Sequence, residues 1–150
     1  MSVRELSVKA QSPSAKDAKG GEKLDKKENA LSFQVIGAAL EVHRHLGPGL
    51  LESAYRDCLC RELAINGIKH ERERVLPISY KGVIVTGYRA DIIVEDLVIL
   101  ELKSVQQLHP VHAAQLLSYL RASGLRLGLL INFNEVVLRN GIVRLVNRLP

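Results

Sequence analysis

The sequence predicts an α/β domain built as a central mixed β-sheet flanked by helices. Three observations lead there. Apolar residues recur first at helical and then at alternating spacing, in the order helix, helix, three strands, helix, further strands. The run from Leu97 to Leu100 is apolar without interruption, as in a central strand covered on both faces. The chain has 150 residues, 47% of them hydrophobic and 25% charged, which suits one core of ordinary size without disulfides or structural metal.

Residues 1–30 are rich in Lys, Ser, Glu, Asp and Gly and carry few large apolar side chains, so a flexible tail is expected there, ahead of a domain over 31–150. Ser32 reads as an N-cap, and Phe33, Ile36, Leu40 and His43 follow at helical spacing until Gly47-Pro48-Gly49 ends the helix. A second helix runs from about Leu50 to Asn66-Gly67, a pair suited to a left-handed cap, with Leu51, Ala54, Cys58, Leu59 and Leu63 facing inward. The period then shortens to two. His70 to Tyr80 reads as a strand, Lys81-Gly82 as a turn, and Val83 to Val94 as a long strand bent or bulged at Gly87. Glu95-Asp96 connects it to the strand Leu97–Lys103. A helix over about 111–122, a strand over 127–133, and a hairpin with Asn140-Gly141 at its turn between Val136–Arg139 and Ile142–Val146 complete the chain.

Several function classes drop out on composition. No apolar run approaches the ~20 residues of a spanning helix, and no apolar segment follows a basic start, so a cytoplasmic address is expected. Cys58 and Cys60, two apart in a helix, point away from each other and read as core thiols rather than a disulfide or a zinc pair. The formal charge is +5, of which the tail holds +2 and the remainder +3. That balance permits a local nucleic-acid patch without demanding one.

Two charges in the Leu97–Lys103 strand are not explained by packing. Alternation places Leu97, Ile99, Glu101 and Lys103 on one face and Val98, Leu100 and Leu102 on the other, so a carboxylate and an ammonium extend an apolar face. A partly buried, unpaired charge costs several kcal/mol, so each needs a partner. If Glu95-Asp96-Leu97 is a three-residue connection, Asp91 stands opposite Glu101, and like charges so placed repel unless a cation lies between them. Hard oxygen ligands of this kind suit Mg²⁺ or Mn²⁺. A connection one residue shorter sends the carboxylates to opposite faces. Lys103 as a plain neutralising partner of Glu101 is the other reading.

Asp91, nine intervening residues and Glu101-Leu102-Lys103 in two hydrophobic strands resemble the D-x(n)-E-x-K core of PD-(D/E)XK nucleases. Gly49-Leu50-Leu51-Glu52-Ser53-Ala54-Tyr55 resembles the signature of the GxxExxY family within that superfamily, and Gln115 with Tyr119 resembles the QxxxY motif of its RecB-like members. The resemblance extends from about Phe33 to the C-terminus. It implies a restriction-endonuclease-like core and hydrolysis of a phosphodiester in nucleic acid, DNA above all, with Mg²⁺ or Mn²⁺ as cofactor.

In the implied site Asp91 and Glu101 ligate the metal, with the Leu102 carbonyl as a further ligand, and Lys103 orients the attacking water and offsets charge on the scissile phosphate. Glu52 completes the site directly or through water. Gln115 and Tyr119, four apart on one helix face, touch the metal site and a substrate phosphate; Tyr55 serves packing. His112, three residues before Gln115, reads as a first-turn histidine, and His43 and His45 as cations favoured at a helix C-terminus. The alternative is a non-catalytic interaction module of the same fold in a nucleic-acid-processing assembly. It draws on the modest charge and on an aromatic content of 4% without Trp. A homodimer or larger assembly is compatible with either. A phosphotransfer enzyme is disfavoured because no Gly-rich phosphate loop is present.

Overall fold

The change of period after the second helix marks where the chain enters its sheet. The structure, a computed structural model, describes residues 4–9 and 24–148. In chain order the elements are β1 (Arg4–Lys9), α1 (Lys26–Leu46), α2 (Glu52–Ile65), β2 (His70–Val75), β3 (Ile78–Tyr80), β4 (Val83–Val85), β5 (Arg89–Val94), β6 (Val98–Lys103), α3 (Pro110–Ser123), β7 (Leu127–Asn132) and β8 (Ile142–Arg148). Six strands form one sheet in the order β1-β8-β7-β6-β5-β2, and β3 and β4 form a separate ribbon. The sheet is mixed as expected, parallel at β6/β7 and β1/β8 and antiparallel elsewhere. Among the described residues no helix is long and apolar enough to cross a membrane.

The alternation of β6 sorts its side chains between two helical layers. Val98, Leu100 and Leu102 pack with Val35 and Ala39 of α1 and Tyr55, Leu59 and Leu63 of α2. Ile99 packs with Leu116, Tyr119 and Leu120 of α3, and Glu101 and Lys103 continue that face. Leu97, in the turn ahead of the strand, packs instead with the α1/α2 layer. Helix α3 lies close on the sheet because β7 carries Gly128, where an added Cβ would come 2.9 Å from Leu116. Each large apolar side chain wholly buried in these layers contributes about 1.5–3 kcal/mol.

Several expectations are corrected. Within the expected tail, Arg4–Lys9 is strand β1, paired with β8 from Arg4↔Val143 to Lys9↔Arg148, because ladder bonding uses backbone groups and needs no apolar side chains. Helix α1 begins at Lys26 rather than after Ser32: the Asp25 N–H donates to the Glu28 carboxylate at 3.3 Å, and Ser32 is buried inside the helix. Residues 1–3 and 10–23 of the expected tail lie outside the described residues. The buried stripe of α1 is Leu31, Val35, Ala38, Ala39 and Val42, which turns Phe33 to solvent; Leu51 is likewise exposed.

The strands expected over 70–80 and 83–94 are each interrupted, and their β3/β4 segments leave the main sheet. No hairpin forms at Asn140-Gly141: Leu138–Gly141 is a 3-10 turn, and β8 pairs with β7 instead. Gly141 is needed for close approach, since a Cβ there would come 2.6 Å from the Asn132 carbonyl oxygen.

Candidate active site

The register of β5 against β6 decides whether a site exists. Ladder pairs run Val94↔Val98, Ile93↔Ile99 and Ile92↔Leu100, so the three-residue connection is the one formed and Asp91 faces Glu101. Glu95 and Asp96 both take left-handed backbone, with φ of 51° and 57°, and the Leu97 N–H closes the turn on the Val94 carbonyl at 2.9 Å. Beyond Ile92 the carboxylates take over bonds that the ladder would have made. Glu101 Oε1 accepts the Asp91 N–H at 3.1 Å, and Asp91 Oδ2 accepts the Leu102 N–H at 2.8 Å.

Glu101 is only 4% exposed. Burial first, and then the neighbouring Asp91 charge, push its carboxyl up to about 8, against the smaller opposing effects of the Asp91 N–H bond and Lys103. This pair is short of positive charge. All its donors are oxygens, and the Leu102 carbonyl joins them: a residue's N–H and C=O leave a strand on the same side, so this carbonyl points with its N–H toward Asp91, while the Lys103 carbonyl accepts from Phe133 on the other side at 2.9 Å. Such a set fits a hard divalent cation that keeps several waters.

Lys103 ends β6 two residues after Glu101, on the same face. The ion pairs of the described residues do not include it, so Lys103 and Glu101 make no direct salt bridge. Its ammonium acts at longer range, holding down the proton affinities of Glu101 and His112.

The sequence GPGLLESAY delivers α2 to the end of β6. The buried Tyr55 ring stacks on Phe133 at 4.5 Å and 11°, while its hydroxyl donates to the Gly47 carbonyl at 2.6 Å and accepts the Leu50 N–H at 3.1 Å. Ser104 Oγ donates to the Leu50 carbonyl at 2.5 Å and ties the exit of β6 to the same loop. Tyr55→Phe keeps the stack and loses both hydroxyl bonds, so a loss of about 1–3 kcal/mol is expected in urea unfolding. An unchanged midpoint would deny Tyr55 this latching role.

Glu52 is the first residue of α2 and is exposed; its charge is felt at His112, as is that of Lys103. Among the described residues no three His, Cys, Asp or Glu side chains gather as a ligand cluster, so Glu52 does not join Asp91 and Glu101 in this conformation. One helical turn later Arg56 does reach Asp91, its Nη1 lying 3.7 Å from Oδ1 and 3.6 Å from Glu73 Oε1. Neither Arg56 nor Glu73 stands out in the sequence. The available signal for Arg56 was its position four residues after Glu52, on the same helix face.

Helix α3 covers the carboxylates from above the sheet. Gln115 Nε2 donates to the Tyr119 hydroxyl at 3.2 Å, and Tyr119 is buried next to Ile99, Leu116 and Leu120. Burial, with the charges of Glu101 and Asp91, raises the proton affinity of that hydroxyl. Tyr88 packs against Tyr119 with ring centroids 6.1 Å apart. His112 accepts the His109 N–H on Nδ1 at 3.0 Å and caps α3, as a first-turn histidine should; burial, Lys103 and His109 all disfavour its protonation. His43 Nε2 meets the Glu135 carbonyl oxygen at 2.7 Å, away from the carboxylates. The loop between β6 and α3 is held by buried Asn132, whose Oδ1 accepts Val105 N–H at 3.1 Å and whose Nδ2 donates to the Val105 carbonyl at 2.9 Å.

Residues 29–145 match the family described as the PD-(D/E)XK nuclease superfamily. No curated protein matches the chain, and no solved structure does.

Proposed function

Because the chain belongs to the PD-(D/E)XK nuclease superfamily, whose restriction-endonuclease-like fold its sheet and flanking helices share, we propose that it is a metal-dependent nuclease hydrolysing a phosphodiester in DNA, with Mg²⁺ or Mn²⁺ as cofactor. The observation that carries this reading is the facing pair Asp91 and Glu101: Glu101 accepts the Asp91 N–H, Asp91 accepts the Leu102 N–H, Glu101 is buried, and the one ion pair to them among the described residues is the long contact of Arg56 with Asp91 at 3.7 Å. The resemblance of the segment around Glu52 and Tyr55 to the GxxExxY signature supports membership of that branch within the proposal. A cytoplasmic enzyme is the form this reading takes.

Asp91, Glu101 and the Leu102 carbonyl would hold the cation, and Glu52 would complete the site directly or through water. A divalent cation there supplies positive charge to the scissile phosphate and eases deprotonation of water. Lys103 donates a hydrogen bond to the attacking water and fixes its line of approach. As water's oxygen bonds to phosphorus and the P–O bond to the leaving sugar breaks, negative charge grows on the phosphoryl oxygens, and the ammonium offsets it. The products are a phosphomonoester and an alcohol. Gln115 and Tyr119 donate toward a phosphate of the bound strand and keep α3 closed on Glu101.

The test is thermal unfolding with and without millimolar Mn²⁺, wild type against Asp91→Ala. Ligand linkage raises the wild-type midpoint and leaves the variant unmoved. Equal curves for both proteins, with no cleavage of DNA or RNA, would instead favour a non-catalytic interaction module, for which the specific support is that no third carboxylate gathers with Asp91 and Glu101 among the described residues.

A further inference from the structure

We propose that Arg56 is the residue that binds the phosphate of the substrate strand, released for that task when a cation replaces it at Asp91; this rests on the nuclease reading above. Its surroundings set it apart from other arginines of the chain. Arg44 bonds Glu41 at 2.8 and 3.1 Å, and Arg74 bonds Glu71 at 2.8 Å and Asp96 at 2.6 Å. Arg56 makes no hydrogen bond among the described residues. It holds only two ion pairs, at 3.6 and 3.7 Å, and its Nε is buried with no partner. A guanidinium presents five donors in a planar fork that matches phosphate oxygens two at a time. Leaving a buried donor of that fork unmet is costly unless a ligand meets it.

The carboxylates around Arg56 explain why it rests there. Asp91 has Glu101 on one side. On the other, the β2/β5 pairing is broken between Arg72↔Ile92 and Arg74↔Ala90, where Glu73 takes a left-handed backbone with φ of 51° in the middle of a strand. Arg56 Nη1 lies between Glu73 and Asp91 and is the one cation within 4.0 Å of Asp91 among the described residues. A hold of this length is Coulombic only, so a divalent charge on Asp91 displaces it by repulsion and frees the fork beside the site where a phosphate must sit.

Two readouts test this with the full-length protein: Mn²⁺ affinity by calorimetry, and binding of a labelled DNA duplex and its single strand in Ca²⁺. Arg56→Met removes a competing cation and is expected to tighten Mn²⁺ about fivefold while weakening DNA roughly ten- to a hundredfold. Arg56→Lys keeps the charge without the fork, so Mn²⁺ affinity stays near wild type and DNA binding is restored only in part. Circular dichroism checks that each variant is folded. DNA binding by Arg56→Met equal to wild type would overturn the proposal, as would weaker Mn²⁺ binding in that variant. A wild type that binds no Mn²⁺ overturns the nuclease reading itself, which is a separate result.

Discussion

Lys103→Met lowers cleavage by about 10²–10⁴-fold while the protein unfolds within a degree or two of wild type. The two halves of this expectation have different physical sources. Lys103 stands at the end of β6 with no ion pair among the described residues, so its removal leaves none of their carboxylates newly partnerless at hydrogen-bond distance, and substitutions away from such contacts change stability by only about 0.5 kcal/mol. Its ammonium is on the same strand face as Glu101, where the proposed hydrolysis would need a water aligned and charge on the phosphate offset. A large loss of stability without loss of activity would assign Lys103 to the fold rather than the chemistry. Cleavage assays in Mg²⁺ and Mn²⁺ beside thermal unfolding in EDTA read both halves.

Glu101→Gln abolishes the Mn²⁺ response and stabilises the metal-free protein at pH 8 and above. The folded carboxyl is raised to about 8 from an ordinary 4.5, so the native state holds its proton over a range where the unfolded chain has released it. The contribution of Glu101 to the stability of the metal-free wild type is therefore fully present below about pH 4.5, is lost as pH rises toward 8, and is level beyond. Glu101 is almost wholly buried, so the effect at the alkaline end is on the order of 5 kcal/mol. Gln carries no charge, and its amide oxygen still accepts the Asp91 N–H. The variant should thus match wild type near pH 4.5 and exceed it by several degrees at pH 8.5 in EDTA. Mn²⁺ reverses the order at alkaline pH by binding only the wild type. A variant less stable than wild type at pH 8.5 without metal would mean that a structural cation already compensates Glu101.

The arrangement of the candidate site was legible wherever it depended on local spacing. Alternation in β6 put Glu101 and Lys103 on one face, the four-residue interval put Gln115 and Tyr119 within a hydrogen bond of each other, and the three-residue connection set Asp91 against Glu101. Tyr55 was readable as a packing residue, though not as the latch that fastens Gly47 and Leu50. The same local reasoning failed at Asn140-Gly141. A strong turn dipeptide was taken for a hairpin, whereas the glycine is required because Asn132 comes too close for any side chain. It failed again at Phe33, because a one-residue rotation of the chosen helix stripe moves an apolar side chain from core to solvent.

What the sequence determined by itself is the set of groups that lie within a few residues of one another, since strand and helix periods are local properties of the backbone. Only the tertiary structure decided which distant groups meet them. The reach of Arg56 from α2 to Asp91, the left-handed Glu73 that flanks it, the exposed position of Glu52 apart from Asp91 and Glu101, and the addition of Arg4–Lys9 to the edge of β8 all depend on how layers and strands dock. Docking is set by packing and by backbone partners far along the chain, and no periodicity encodes it.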